Sequence, residues 1–271
     1  MARRLICTLG SPSELTNPYS MTKPSLERSV FVAAQPDTVF SFFERSDRFA
    51  AWWGAGSVIA AEVGHAMKIV YPNQIVVSGA VTAVEPGRSI AFTYGYEDGK
   101  GPCEPGSTLV EFELEELPDG TLLQLAHTFE DESTRDLHVP GWRYQLSVAA
   151  NRMADAQHTD LDELFDAFFA AQMLDDEAER RAALEDLVAD DFTFRDNFVS
   201  IRGAGEFAAH LQAARQHGAA PSIERDGPVR HCQGTAVCDW ICRQPDGSIF
   251  LTNTNITQLT PNKHLKNIYN L

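Results

Sequence analysis

The sequence has no long apolar run and a clear deficit of basic side chains. No run approaches the roughly 18 consecutive apolar residues that a membrane-crossing helix needs, so we expect no membrane partner. The chain has 22 lysines and arginines against 38 aspartates and glutamates, a formal net charge of -16. Such a surface repels phosphate backbones and anionic lipid. We therefore expect no nucleic acid and no membrane among its partners.

Cysteines are few, and their number is odd: Cys7, Cys103, Cys232, Cys238 and Cys242. This scattered set predicts a reducing, cytoplasmic location rather than a disulfide framework. Cys238 and Cys242 on one strand would lie roughly 13 Å apart, too far to share a metal ion or a disulfide. The sequence also lacks a glycine-rich phosphate loop, a nucleophile elbow and a His-Glu zinc motif. We expect neither a metal nor an organic cofactor.

What the sequence does have is enough length for two domains. Its 271 residues are 44% hydrophobic, which is ordinary for a globular protein. We divide it into a loose leader at 1–22, a first domain at 23–158 and a second domain at 159–271, with Met21 as an alternative start. The short junction DAQHTD predicts that the two domains do not swing freely.

The pattern of the first domain predicts a strand at 25–34, a helix from Pro36 and a Trp52-Trp53-Gly54 turn. Five further strands are predicted at 65–71, 74–84, 88–96, 107–115 and 121–129. Because the loops between these strands are short, neighbouring strands should be antiparallel. A helix over 140–157 closes the domain, with Pro140 at the first helical position. The apolar stripe of this helix falls at Trp142, Leu146, Ala149 and Met153. The helix is therefore predicted to cover one face of the sheet.

Alternation along the strands predicts which side chains face that helix. We expect a ligand-binding groove between helix and sheet, with a common set of aromatic and histidine side chains: Trp53, Phe92, Tyr94, His127, Phe129 and Trp142. His127 would hydrogen-bond a ligand or act as a base near neutral pH. The alternative is a core histidine that is satisfied by a backbone carbonyl.

These elements, with Trp53-Gly54, Glu85-Pro86-Gly87, His127-Thr128 and Gly141-Trp142, resemble the SRPBCC (START-like) superfamily. Within it they are similar to the branch related to the activator of the heat-shock-protein ATPase. The resemblance implies an α+β helix-grip fold, with an antiparallel sheet and a hydrophobic cavity under the long C-terminal helix. It adds a chaperone-interacting module as one possible function, although nothing in the chain looks like the separate chaperone-binding domain of the eukaryotic activators.

The second domain reads as three helices and a sheet. The first helix has its stripe at Leu161, Leu164, Phe165 and Phe168, capped by Thr159 or Asp160, and the second is capped by Asp175 or Asp176. A short strand pair, a helix over 203–217 and four strands at 222–232, 235–243, 248–259 and 264–269 follow. The pattern LVADDF…IRGAGEFAAHL…TAVCDWIC…DGS resembles the SnoaL-like polyketide cyclases of the nuclear-transport-factor-like superfamily. That resemblance implies a conical α+β pocket and a homodimer formed through the open sheet face.

Five residues of the second domain are candidates for chemistry. Asp196 and Asp239 are the candidate catalytic carboxylates, although turn formation and an exposed or interface position are the simpler alternatives. Trp240, Asn253 and Asn255 are candidate ligand contacts. We expect the tryptophan face of the strand to point inward, which places Asp239 outside.

Three functions follow from these patterns. The first is a cytoplasmic protein that binds a small hydrophobic molecule in the helix-grip groove, in a regulatory or stress-related role, without turnover. The second is a cofactor-independent cyclase, isomerase or hydrolase that works in the conical pocket. The third is a chaperone-interacting module, which would need an exposed apolar patch.

Overall fold

The computed structural model describes residues 23–99, 101–216 and 222–271. The predicted leader, 1–22, lies outside the described residues. The described chain forms a mixed α and β structure with two sheets and six α-helices, each sheet having its own cluster of buried side chains.

The first sheet is antiparallel and has six strands in the order β1-β6-β5-β4-β3-β2. Its strands are β1 Ser25–Val32, β2 Ala66–Val70, β3 Val76–Glu85, β4 Ser89–Tyr94, β5 Thr108–Leu117 and β6 Gly120–Thr128. Every predicted strand of this half is present, because alternating apolar residues and Pro or Gly turns mark each one. Helices α1 Pro36–Glu44 and α2 Ser46–Trp53 separate β1 from β2. The predicted Trp52-Trp53 turn is therefore wrong: both tryptophans end a helix that the sequence analysis missed.

Helix α3, Glu132–Gln157, covers the sheet and buries the predicted stripe at Trp142, Leu146, Ala149 and Met153. Its predicted start at Pro140 is wrong. Asp131 caps the helix two turns earlier by accepting a hydrogen bond from the Thr134 amide at 2.8 Å. Pro140 is tolerated inside the helix because it and Asp136 lie on the exposed side, where water can reach the carbonyl left without an amide donor.

The second sheet has seven strands in the order β10-β11-β12-β13-β7-β8, with β9 paired to β11. Its elements are α4 Leu161–Met173, α5 Glu177–Glu185, β7 Val188–Arg195, β8 Ser200–Arg202, α6 Gly203–Gln216, β9 Ser222–Arg225, β10 Arg230–Cys232, β11 Thr235–Arg243, β12 Ile249–Leu259 and β13 Leu265–Asn270. The predicted strand at 222–232 is two strands, β9 and β10, and both pair with β11. The sheet is mixed rather than purely antiparallel, since β13 and β7 are parallel.

Of the two helix caps predicted in this half, one makes capping hydrogen bonds and the other does not. Asp176 caps α5 by accepting from the amides of Ala178 and Glu179, both at 2.9 Å. Asp160 occupies the N-cap position of α4 in the left-handed region, with φ 62°, and its side chain makes no capping hydrogen bond. Its carboxylate is therefore available for another role.

Direct contacts join the two halves of the chain. The His158 Nε2 atom lies 2.9 Å from the Ala33 carbonyl oxygen, and the Gln157 amide donates to the Pro261 carbonyl at 2.8 Å. Lys266 pairs with Asp119 at 2.7 Å. These contacts hold the end of α3 and β1 against the second sheet.

Candidate functional site

The space between the first sheet and α3 is filled by one cluster of aromatic side chains. The ring centroids of Trp52 and Trp53 are 4.4 Å apart, and Trp53 meets Trp142 edge-on at 5.5 Å. The predicted groove residues all belong to this cluster: Trp53, Phe92, Tyr94, His127, Phe129 and Trp142, each 3% exposed or less. We call these six side chains the aromatic interior.

A row of tyrosine hydroxyls crosses one end of the aromatic interior. The Tyr71 and Tyr94 oxygens are 3.0 Å apart, the Tyr94 hydroxyl donates to Tyr96 at 3.3 Å, and the Tyr96 oxygen lies 3.5 Å from His138 Nε2. His138 Nδ1 lies 2.8 Å from the Thr134 carbonyl oxygen, so it carries the proton and Nε2 is the acceptor. The hydroxyls therefore donate in one direction, from Tyr71 towards His138.

His127 uses both ring nitrogens within the protein. Trp142 Nε1 donates to His127 Nδ1 at 2.9 Å, which leaves the proton on Nε2, 2.8 Å from the Thr108 hydroxyl. The Thr108 hydroxyl in turn donates to the Tyr94 carbonyl oxygen at 2.8 Å. His127 is thus a satisfied core histidine, but its partners are the side chains of Trp142 and Thr108 and not the expected backbone carbonyl. A ligand would have to replace one of them to contact His127.

The ionisable groups of the cluster are held neutral. Burial, with a smaller contribution from His138, lowers the pKa of His127 to about 2. Burial also lowers the pKa of His138 and raises the pKa of Tyr94 well above its usual range. Near neutral pH the site thus presents hydrogen-bonding groups without charge. It suits an uncharged ligand better than an ionic one.

The low pKa of His127 predicts a stability loss in mild acid. An unfolded histidine takes up a proton below about pH 6.5, whereas folded His127 does not do so until about pH 2. The contribution of His127 to the free energy of unfolding is therefore complete above pH 6.5 and is lost as the pH falls towards 2. At pH 5 the loss is about 2 kcal/mol. Urea unfolding of the wild type and of His127→Gln at pH 7 and pH 5 measures it. An equal pH dependence in the two proteins would contradict this assignment.

Two indole N–H groups of the cluster lack an acceptor in the part of the chain that the structure describes. Trp52 Nε1 and Trp53 Nε1 are both buried there without a hydrogen-bond partner, although the Trp52 carbonyl accepts from Gln145 at 2.9 Å. Buried donors are rarely left unpaired, because each costs roughly 1–3 kcal/mol. The aromatic interior therefore retains unused hydrogen-bonding capacity.

Sequence reasoning missed four partners that complete this site: Tyr71, Tyr96, Thr108 and His138. Tyr96 was visible, since it alternates with Tyr94 on one strand face. His138 lies one helical turn before Trp142, but the signal was lost when the helix was begun at Pro140. Tyr71 could not be found, because its contact with Tyr94 spans β3, the strand that lies between β2 and β4 in the sheet.

The second sheet brings Trp240, Asn253 and Asn255 to one inner face, with Asn270 as an unpredicted neighbour. Trp240 Nε1 donates to Asn255 Oδ1 at 3.3 Å and to Asn270 Oδ1 at 3.2 Å. With its amide nitrogen turned towards the chain end, Asn253 donates to the Leu271 carbonyl at 2.9 Å. The amides therefore bind one another and the indole.

The two carboxylates make ordinary structural contacts. Asp196 Oδ1 accepts from the amides of Phe198 and Val199, both at 2.7 Å, and so forms a turn. Asp239 accepts from the Thr254 hydroxyl at 2.6 Å and pairs with Arg230 at 2.9 Å. Its side chain is 45% exposed, opposite the inner face that carries Trp240, as predicted.

A pocket of about 850 Å³ lies on the outer face of the first sheet, away from the aromatic interior. Charged side chains form much of its lining: Glu27, Arg28, Glu85, Arg88, Glu111 and Glu113. This lining does not suit a hydrophobic molecule.

Across the described ranges, no group of three or more His, Cys, Asp or Glu side chains is placed to hold a metal ion. Nor does the described part of the chain contain a helix long and apolar enough to cross a membrane.

Residues 33–149 match the family model described as activator of Hsp90 ATPase homolog 1-like protein. The match supports the first resemblance over those residues. A search of curated proteins finds no match to the chain.

Several solved structures are similar to parts of the chain. A protein from Mesorhizobium loti is 18% identical with a TM-score of 0.43, over 49% of this chain and 97% of that one. A SnoaL-like family protein from Agrobacterium tumefaciens is 21% identical with a TM-score of 0.39, over 42% and 95%. The Aha1 dimer from Colwellia psychrerythraea is 18% identical with a TM-score of 0.40, over 45% and 90%. Because each TM-score is below 0.5, these likenesses decide neither fold nor function.

Proposed function

We propose that the protein binds a small, uncharged hydrophobic molecule between the first sheet and α3, without converting it. The observation that carries this proposal is the pair of buried Trp52 and Trp53 N–H groups, which have no acceptor among the described residues and lie within an aromatic cluster. An apolar ligand with one acceptor oxygen would satisfy such donors while its remainder packs against the rings. The neutral histidines favour the same ligand class, since no group of the cluster offers a charge to an ionic ligand.

Entry of a ligand requires the cluster to open, because its side chains pack against one another. The place for this opening is the end of α2, where Trp53 meets Tyr71 edge-on with ring centroids 5.7 Å apart. Tyr71 is half-buried, whereas Trp53 is 3% exposed. We therefore infer that a ligand enters beside Tyr71 and displaces it from Trp53.

Native mass spectrometry of the purified protein, followed by denaturing extraction, tests this function. We expect a mass above that of the 29.9 kDa chain and an extracted uncharged compound. Trp53→Phe keeps an aromatic ring but removes the N–H, so it should retain less of that compound than Phe31→Leu, a control on an exposed side chain. Apo protein that also fails to take up a neutral hydrophobic dye would reject the proposal.

We also propose the division into 23–158 and 159–271, with a cytoplasmic location. The two separate clusters of buried side chains support the division. Ligand contacts at Asn253, Asn255 and Trp240, and catalysis through Asp196 or Asp239, remain proposals for the second half. The amides contact each other and the carboxylates make turn and surface contacts, so no contact there favours turnover over binding.

A homodimer through the second sheet is our proposal for a protein partner. Large apolar side chains are exposed along β12 and near the chain end, among them Ile249, Phe250, Leu251, Tyr269 and Leu271. Tyr269 pairs with Ile256 and Leu271 with Thr254 at the edge of β12, and exposed apolar side chains there favour an interaction surface. Light scattering that gives the mass of one chain at high concentration would reject the dimer. A chaperone contact is the alternative use of these side chains.

A further inference from the structure

An acidic pocket of about 440 Å³ lies where the two halves of the chain meet. The end of α3, the start of α4 and the segment around β10 form its walls: Asp155, His158, Asp160, Leu161, Asp162, Glu163, Val229 and His231. Neither the aromatic interior nor the second sheet's amide cluster contributes to it. The pocket is therefore separate from the proposed ligand site.

The carboxylates outnumber the basic groups that reach them. Arg225 lies 3.3 Å from Asp162, and Arg152 lies 3.9 Å from Asp155. Asp160 and Glu163 have no ion pair within the described residues. The pocket thus holds uncompensated negative charge, which favours a cation.

The two histidines are both neutral, and their protons can be placed. The Gly234 amide donates to His231 Nε2 at 3.0 Å, so the proton is on Nδ1, 2.9 Å from Asp155. His158 Nε2 lies 2.9 Å from the Ala33 carbonyl oxygen, so that nitrogen is the donor and Nδ1 carries a lone pair.

His158 provides an observation independent of the acidic cluster. The side chain is 4% exposed, and its Nδ1 has no hydrogen-bond partner within residues 23–99, 101–216 and 222–271. The two nitrogens of an imidazole ring diverge, so Nδ1 is directed away from Ala33, and His158 is one of the residues that line the pocket. A buried acceptor without a donor is unfavourable, so a ligand that supplies an N–H would be stabilised there.

We propose that this pocket binds a primary alkylammonium group. Its N–H groups donate to His158 Nδ1 and to the carboxylates, and its carbon chain packs on Leu161 and Val229. A metal ion fits less well, because no three ligating side chains are placed around one point among the described residues. Ligand at this position contacts α3 and α4 together and would strengthen their junction.

Calorimetry on the full chain with n-butylammonium tests the proposal at pH 7. Tetramethylammonium, which has no N–H, and n-butanol, which has no charge, are the matched probes. We expect one site for n-butylammonium and no measurable binding of either control. Equal binding of tetramethylammonium would show a general acidic surface and overturn the proposal, as would no binding of n-butylammonium.

Variants locate the site. Asp160→Asn removes one charge from an exposed side chain and should weaken n-butylammonium binding about fivefold. Glu116→Gln, an equal change of charge on the first sheet, should leave binding unchanged. His158→Phe removes the acceptor and should abolish binding. If that variant fails to fold, the pair Asp160→Asn and Glu116→Gln still decides, because equal affinities in the two would reject this pocket.

Discussion

Replacing Trp142 by alanine should lower the free energy of unfolding by about 3–5 kcal/mol, the usual cost of truncating a large buried aromatic side chain. Trp142 is 3% exposed and packs against Trp53 at 5.5 Å and Phe112 at 5.9 Å between ring centroids. Its removal also leaves His127 Nδ1 without the donor at 2.9 Å. Lost packing and an unpaired buried acceptor therefore act together.

Tyr144→Ala is the matched control, since Tyr144 lies on the same helix and is 68% exposed. We expect a change within about 0.5 kcal/mol for this variant. Urea unfolding followed by circular dichroism measures both proteins. Trp142→Phe shows the weight of the two causes, because it keeps an aromatic ring in place but loses the N–H and part of the volume of the indole. Full stability of Trp142→Ala would show that α3 does not depend on this contact.

Replacing Arg180 by alanine should cost about 3 kcal/mol or more, although the residue is an arginine on a helix with a polar sequence. Arg180 is fully buried. Its guanidinium donates to the Leu174 carbonyl at 2.7 Å, to the Ala208 carbonyl at 3.3 Å and to Gln212 Oε1 at 3.1 Å. It thus ties the end of α4 to α6, and alanine would leave these acceptors unpaired in a cavity.

Arg181→Ala is an unusually close control, because Arg181 is the next residue and its side chain is 61% exposed. It loses only a surface ion pair to Glu185, worth at most about 0.5 kcal/mol. Urea unfolding compares the two variants. An equal effect of the two substitutions would contradict the structural role of Arg180.

The two large effects together test the division into domains. Trp142 belongs to the first cluster of buried side chains, whereas Arg180 ties helices that pack on the second. If the halves unfold separately, each variant should shift one transition and leave the other in place. If the junction makes them one cooperative unit, both variants shift a single transition.

The sequence by itself determined most of the strands and helices and the faces that they bury, but not α2 or the start of α3. Alternation in β4, β5 and β6 identified the buried aromatic face, and the spacing of Trp142, Leu146, Ala149 and Met153 identified the covering helix. These signals are local, because the period of a strand or helix repeats within a few residues. The spacing also placed Arg180 on the buried face of α5, because it lies four residues before Leu184. A charged residue is not expected in a protein core, however, so this spacing did not predict its burial.

Only the tertiary structure decided which residues became partners. Tyr71 meets Tyr94 across strands, Trp142 donates to His127 between helix and sheet, and β13 pairs with β7 in parallel. The start of α3 also depended on context, since its exposed face lets Pro140 remain within the helix. The pocket containing His158 is formed by segments some 70 residues apart in the chain. Local periodicity carries no information about such contacts, because they form only when distant segments pack against each other.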